Sequence, residues 1–134
     1  MQARKSNQNE WSKWHNKLHK KLLADENLLP NGSSLVIAVS GGQDSMAMLK
    51  ILNDLKKIHQ WELQVWHGDH GWHEKSKQIA IELSQWCKSN NLNFILSNQQ
   101  NTINRTEADA RNWRYKELES TIRLLSIKNK KAYN

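Results

Sequence analysis

Apolar residues along this chain alternate between helical stripes and short unbroken runs. Trp11, Trp14, Leu18 and Leu22 recur at i, i+3, i+7 and i+11, which predicts a helix beginning at or before Ser12. Lys13, Lys17, Lys20 and Lys21 fall between them. Leu28-Leu29-Pro30-Asn31-Gly32 ends that helix and turns the chain. Leu35 to Val39 are consecutive apolar residues, the pattern of a parallel strand covered on both faces. Met46, Met48, Leu49, Leu52 and Leu55 restore helical spacing as far as His59, and Trp61 to His67 alternates loosely as a second strand. A helix from Glu74 to Asn90 follows, carrying Ile79, Ile81, Leu83, Trp86 and Cys87, and Asn93 to Ser97 reads as a third strand. After a polar loop over Asn98–Arg105, Thr106 is placed to cap a helix from Glu107 to Ile127, and Ala132-Tyr133-Asn134 begins another strand. The order is one helix, then strand–helix three times. It predicts an α/β fold, a parallel sheet with helices on both faces and right-handed crossovers. The expected division is residues 1–33 as an amino-terminal helix and connector and residues 34–134 as the α/β domain.

Ligands of such sheets bind at the carboxyl ends of the strands. The first strand ends there in Ser40-Gly41-Gly42-Gln43-Asp44-Ser45, which opens a helix. That geometry aims backbone N–H groups and a positive helix end at one spot, a place for an anion. Adjacent glycines allow close backbone approach, Ser40 and Ser45 add hydroxyls, and Asp44 adds a carboxylate suited to Mg²⁺. No lysine follows Gly42 before Lys50, which excludes the Walker loop, and no third glycine completes a dinucleotide fingerprint. The glycine spacing of a nucleophile elbow is missing from both serines. The bland alternative is a strand-to-helix turn capped by Asp44 or Ser45.

Two further clusters share this rim or face it. His67-Gly-Asp-His70-Gly-Trp-His73 spaces histidines three apart, as a zinc site does, but Gly68 and Gly71 give the loop no fixed face. Contact of His67 and His70 with a nucleotide's ribose, phosphate or base suits them better. Glu107, Arg111 and Arg114 lie on one side of a helix, where two arginines can clamp phosphate bidentately. Taken alone, an exposed Glu107–Arg111 ion pair explains the same spacing.

Composition narrows the partners. Twenty Lys and Arg against 13 Asp and Glu give a net charge of +7, consistent with a polyanion. The single cysteine, Cys87, excludes an internal disulfide and any Cys-x-x-Cys site, and its apolar neighbours make it a core thiol. A polar start and the lack of a long apolar segment predict a cytoplasmic protein.

Ser-Gly-Gly-x-Asp-Ser after a strand resembles the PP-loop of the ATP-pyrophosphatase superfamily, whose members split ATP between its α and β phosphates. The three motifs together, Ser40–Ser45, His67-x-x-His70-Gly71 and Glu107-x-x-x-Arg111-x-x-Arg114-Tyr115, resemble those of tRNA(Ile)-lysidine synthetases in order and rough spacing. The resemblance runs from Leu35 to Tyr115. It implies an adenine nucleotide alpha hydrolase-like (PP-loop) fold. It also implies an ATP- and Mg²⁺-dependent ligase that adenylates the wobble cytidine of tRNA(Ile). L-lysine then displaces AMP, giving lysidine and changing codon reading from AUG to AUA.

By the same resemblance, Ser40, Gly41, Gly42, Gln43 and Ser45 hold phosphates, Asp44 holds the metal, and Arg111 and Arg114 steady the α-phosphate or the cytidine adduct. His67 and His70 complete the nucleotide site. Two departures stand out. Trp72-His73 replace the family's Leu-Arg, and the family's later Gly-His and Asp-x-x-Glu-Thr motif does not occur before Asn134. The expectation is therefore an amino-terminal fragment, its fold incomplete at the carboxyl end and inactive alone. The rivals are another PP-loop enzyme, a tRNA thiolase or an amide-forming relative, and a nucleotide- or RNA-binding remnant without turnover. Thiolation commonly needs catalytic cysteines, and Cys87 alone argues against it.

Overall fold

The structure, a computed structural model, describes residues 12–25, 29–69, 71, 75–98, 106–129 and 131–133. Its elements in order are α1 (Lys13–Ala24), β1 (Ser34–Ala38), α2 (Gln43–His59), β2 (Glu62–Asp69), α3 (Ser76–Ser89), β3 (Asn93–Asn98) and α4 (Glu107–Asn129). The strands form one parallel sheet in the order β1-β2-β3, with Leu35 beside Leu63, Ile37 beside Val65, and Val65 beside Phe94.

Period-two alternation then sorts the side chains. Leu35, Ile37, Val39, Leu63 and Val65 point to one face and meet Leu49, Leu52 and Leu55 of α2, Leu83 and Cys87 of α3, and Leu22 of α1. This is the core, and Leu49, Leu55, Val65 and Cys87 are its most enclosed members. Burial raises the Cys87 thiol above its ordinary pKa, as expected of a core thiol.

The other face carries Gln64, Trp66 and Gly68 and lies under α4. Arg114 of that helix comes close to Gly68. The first strand differs here from its sequence reading. Its Val36 is only half-buried and Ala38 is exposed, because α4 packs over β2 rather than β1. Of α4 only Ala110 is fully buried among the described residues, whereas Tyr115, Leu124 and Ile127 are each more than 60% exposed.

After α4 the chain returns to the free edge of β1, where Tyr133 makes a parallel bridge with Ser34. Glu62 gathers this corner: it accepts from the Tyr133 hydroxyl at 3.0 Å and pairs with Lys131. The Lys131 ammonium is the main reason the Glu62 carboxyl titrates below its ordinary value. The sheet thus runs one way from β1 through β2 to β3 and then reverses to the other side of β1, a topological switch beside the first strand.

In α1 the expected apolar stripe is shifted. Trp14 is 59% exposed, and His15 takes the inward position with Leu18 and Leu22. Burying an imidazole costs free energy unless its polar atoms find partners. The Ser12 backbone N–H donates to His15 Nδ1 at 3.1 Å, which leaves Nε2 to donate to Asp54 Oδ2 at 2.7 Å. The His15 N–H in turn donates to the Ser12 hydroxyl, so one residue both closes the capping box and docks α1 on α2. Met48 of α2 and Ile81 of α3, though apolar, are likewise exposed.

A second imidazole, His59, ends α2. It is 2% exposed and stacked on Trp61, with Nδ1 at 3.1 Å from Asn31 Oδ1 and Nε2 at 3.0 Å from His19 Nδ1. Burial, and then the neighbouring His19, lower its pKa below 6.5. The unfolded chain therefore binds the proton more readily, and this contribution to stability is complete above 6.5 and lost as pH falls below it. The urea midpoint should drop between about pH 7.5 and about pH 5.5, and His59→Gln should flatten that drop while lowering the midpoint overall. Parallel pH curves for the two proteins would refute the assignment.

Candidate functional site

The turn after β1 is held by both backbone groups of Val39. Its N–H donates to the Trp66 carbonyl at 2.9 Å, and its carbonyl accepts from His67 Nδ1 at 2.8 Å. Gly41 follows with φ of +88°, and a Cβ there would lie 2.4 Å from Ile79 Cγ2 on α3. Only glycine satisfies both the left-handed backbone and that contact. Gly42 is the N-cap of α2 and offers no side-chain cap.

The loop's hydroxyls close a ring on themselves. The Gly42 N–H donates to Ser40 Oγ at 3.2 Å, Ser40 Oγ lies 3.1 Å from Ser45 Oγ, and the Ser45 hydroxyl donates to the Gly42 carbonyl at 3.0 Å. With the Ser45 proton committed to Gly42, the Ser40 hydroxyl is the donor between the two serines. Neither Asp44 nor Ser45 caps the helix, so the cap that the bland reading assigned to them is absent. Asp44 is exposed in the first turn of α2. The first-turn N–H groups at Gln43, Asp44 and Ser45 precede any helical acceptor.

Beside this turn opens a cleft of about 330 Å³ on the α4 face of the sheet. Ala38, Val39 and Ser40 form one wall, Trp66 and Gly68 the floor, and Arg111, Arg114, Tyr115 and Leu118 the other wall. Of the first sequence motif only Ser40 lines this space, where it faces Arg111, Arg114 and Tyr115 of the third; Gly41 to Ser45 and Glu107 do not line it. Thr106 caps α4 through the Asp109 N–H at 3.1 Å, so the arginines stand in the second and third turns of a defined helix. Arg111 is exposed and Arg114 half-buried. Glu107, Gly42, Gln43 and Asp44 are exposed, whereas Gly41 and Ser45 are half-buried.

The second motif is built differently from its sequence reading. Strand β2 runs on through Asp69, so His67 lies in the sheet, 6% exposed, with its ring on the Val39 carbonyl. It supports the turn from behind. His70 and His73 lie outside the described residues, and no cluster with metal-ligand geometry occurs among the described ones. Gly68 shows a role that loop spacing concealed. A Cβ there would lie 2.5 Å from the Trp66 ring and 3.3 Å from Arg114 Cγ, so its bareness lets α4 settle on the strand. Trp66, whose indole N–H donates to Ser97 Oγ at 3.0 Å, carries no sign in the sequence beyond its place in a strand. The signal available was its place two residues before Gly68, on the same face.

Strand, self-bonded Ser-Gly-Gly turn and facing arginines describe a parallel α/β domain of the PP-loop class, and residues 12–128 match the PP-loop domain family, to which the chain belongs. Within that class it is similar to proteins named tRNA(Ile)-lysidine synthase. It is 56% identical to one from Prochlorococcus marinus over 116 residues, covering 87% of this chain and 34% of the relative. To a second, from another strain of that species, it is 45% identical over 131 residues, covering 98% of this chain and 39% of the relative. A chloroplastic counterpart from Pyropia yezoensis is 39% identical over 107 residues, 78% of this chain and 32% of the relative. The chain thus spans a little over a third of the length of the first two. Among solved structures, the U34-tRNA thiolase NcsA from Methanococcus maripaludis, with its [4Fe-4S] cluster, shares the fold at a TM-score of 0.59 and 17% identity. That alignment covers 87% of this chain and 40% of the thiolase. No helix of the described residues is long and apolar enough to cross a membrane.

Gly41→Ala should cost about 2–4 kcal/mol of stability from backbone strain and overpacking against Ile79. In an Ile79→Ala background the steric share should vanish and the conformational share remain, as read by urea unfolding of the four proteins. Equal cost in both backgrounds would remove the close approach as the cause.

Proposed function

We propose that this chain forms the ATP-handling site of a tRNA(Ile)-lysidine synthase, in which the wobble cytidine is adenylated before L-lysine displaces AMP. The observation that carries the reading is the cleft that brings Ser40 together with Arg111, Arg114 and Tyr115. The order of these motifs and the similarity to synthases of that name support it.

The chain's residues divide the work by charge. N–H groups at Gln43, Asp44 and Ser45 face the β- and γ-phosphates, and the Ser40–Ser45 ring opens so that its hydroxyls donate to phosphate oxygens instead of to each other. Arg111 and Arg114, across the cleft, offset charge on the α-phosphate as the oxygen bridging it to the β-phosphate departs with pyrophosphate. A divalent cation fits the donor set, because the Asp44 carboxylate is exposed at the turn and takes no part in capping the helix. When bound, Mg²⁺ supplies charge neutralisation on the leaving group. His67 holds the Val39 carbonyl and so positions the turn.

A thiolase-like reaction is the competing enzyme reading. The one cysteine is fully buried with a raised pKa, and so lacks the thiolate and access that sulfur transfer needs.

ATP–pyrophosphate exchange, with tRNA and lysine present, tests turnover in a chain extended to the relatives' length; a pure binder shows none. In the chain itself, Asp44→Asn should weaken Mg²⁺-dependent ATP binding by about tenfold or more while leaving the urea midpoint nearly unchanged. An Mg²⁺ effect of the same size in both proteins would refute the metal role.

A further inference from the structure

Helix α1 presents two opposed faces. His15, Leu18, His19 and Leu22 turn inward, where His15 meets Asp54 and His19 meets His59. Lys13, Trp14, Lys17, Lys20 and Lys21 turn outward and are all exposed. The helix contains no Asp or Glu between Lys13 and Ala24, so four ammonium groups lie along about 12 Å with no acid of the same helix to offset them. Among them stands an exposed indole. Trp14 keeps 59% of its surface exposed, Lys17 Nζ sits 5.5 Å from its ring centroid, and Lys13, Trp14 and Lys17 line a shallow recess of about 280 Å³. None of these residues belongs to the cleft beside Ser40.

We infer that the outer face of α1 is an RNA-contacting surface: Lys13, Lys17, Lys20 and Lys21 follow the phosphate backbone, and Trp14 is the platform on which one unpaired base stacks. A row of cations alone suits any polyanion, but an aromatic ring beside a lysine, set within that row, matches single-stranded nucleic acid, whose bases each offer a π-face. A membrane surface fits less well. An interfacial helix turns its apolar side to the lipid, and here Leu18 and Leu22 are spent on the core. The inference rests on the reading that the protein acts on a tRNA, and it adds a contact outside the cleft. Because α1 is docked on α2, whose amino-terminal end is joined to the Ser-Gly-Gly loop, RNA held here is held by the same helical layer that adjoins the nucleotide site.

Fluorescence anisotropy with a labelled unstructured RNA, a duplex RNA of equal length, heparin and vesicles containing anionic phospholipid tests this. Trp14→Ala should weaken single-stranded RNA by about 5- to 100-fold and change duplex and heparin binding by less than about twofold. Replacing Lys13, Lys17 and Lys20 together by Gln should weaken all RNA binding and lower the single-strand salt slope by about 2. Both sets of changes lie on the exposed face, so urea midpoints should stay at the wild-type value. ATP binding, followed separately, should be untouched by either variant. Its absence from every form would sink the proposed function while leaving the RNA result standing. Single-stranded RNA bound equally by wild type and Trp14→Ala would overturn the inference. So would loss confined to vesicles, or loss only when Arg111 and Arg114 are replaced.

Discussion

Everything at the nucleotide end of this domain depends on how β2 grips Val39. A strand that ends in a ligand loop must stop pairing at a fixed residue and leave in a fixed direction. Here one backbone bond to Trp66 and one side-chain bond from His67 take both polar groups of Val39, so the sheet's order reaches the last residue before the turn. From that point the backbone has little freedom. Gly41 rests against Ile79, Gly42 caps α2, and Ser40 and Ser45 close over the gap. A loop pinned at both ends and pressed from one side loses little entropy when a ligand arrives, which is the physical meaning of a preorganised site.

The opposite wall is held more lightly. Helix α4 lies on β2 through Ala110, Arg114 and neighbouring half-buried positions, with bare Gly68 beneath and much of its length in solvent. The two sides of the cleft therefore differ in stiffness: a turn embedded in the core faces a helix attached along one edge. The switch in strand order sets this contrast. The chain must cross from β3 to the far side of β1 to place Tyr133 beside Ser34, and α4 is that crossing. Glu62 secures its far end by taking Lys131 and Tyr133 together.

Much of this was legible in the residues. The strand–helix order, the turn at Ser40–Ser45, the cap at Thr106 and the return at Tyr133 follow from local rules of period and termination. What escaped those rules was settled by partners distant in sequence. Trp14 looks like the inward residue of its stripe until Asp54 supplies a partner for His15, after which the imidazole can be buried and the indole need not be. His67 reads as the start of a glycine-rich loop because nothing local says that β2 continues through Asp69 or that a carbonyl 28 residues earlier awaits its proton. The apolar run of β1 reads as doubly covered, yet α4 lies over β2, where position 68 carries no side chain. Hydropathy periods carry the elements, and single side-chain bonds decide what faces inward.

The thiol at Cys87 has a consequence of another kind. It is the only sulfhydryl in the chain, has no exposed surface, and sits between α3 and the sheet beneath the helix that Gly41 leans on. A reagent reaches it only when that layer parts, and burial disfavours the reactive thiolate until then. The rate at which Cys87 is labelled in the native protein is thus a clock for the opening of the core under the nucleotide loop. A ligand that clamps the loop will slow that clock in proportion to how much it holds the layer shut.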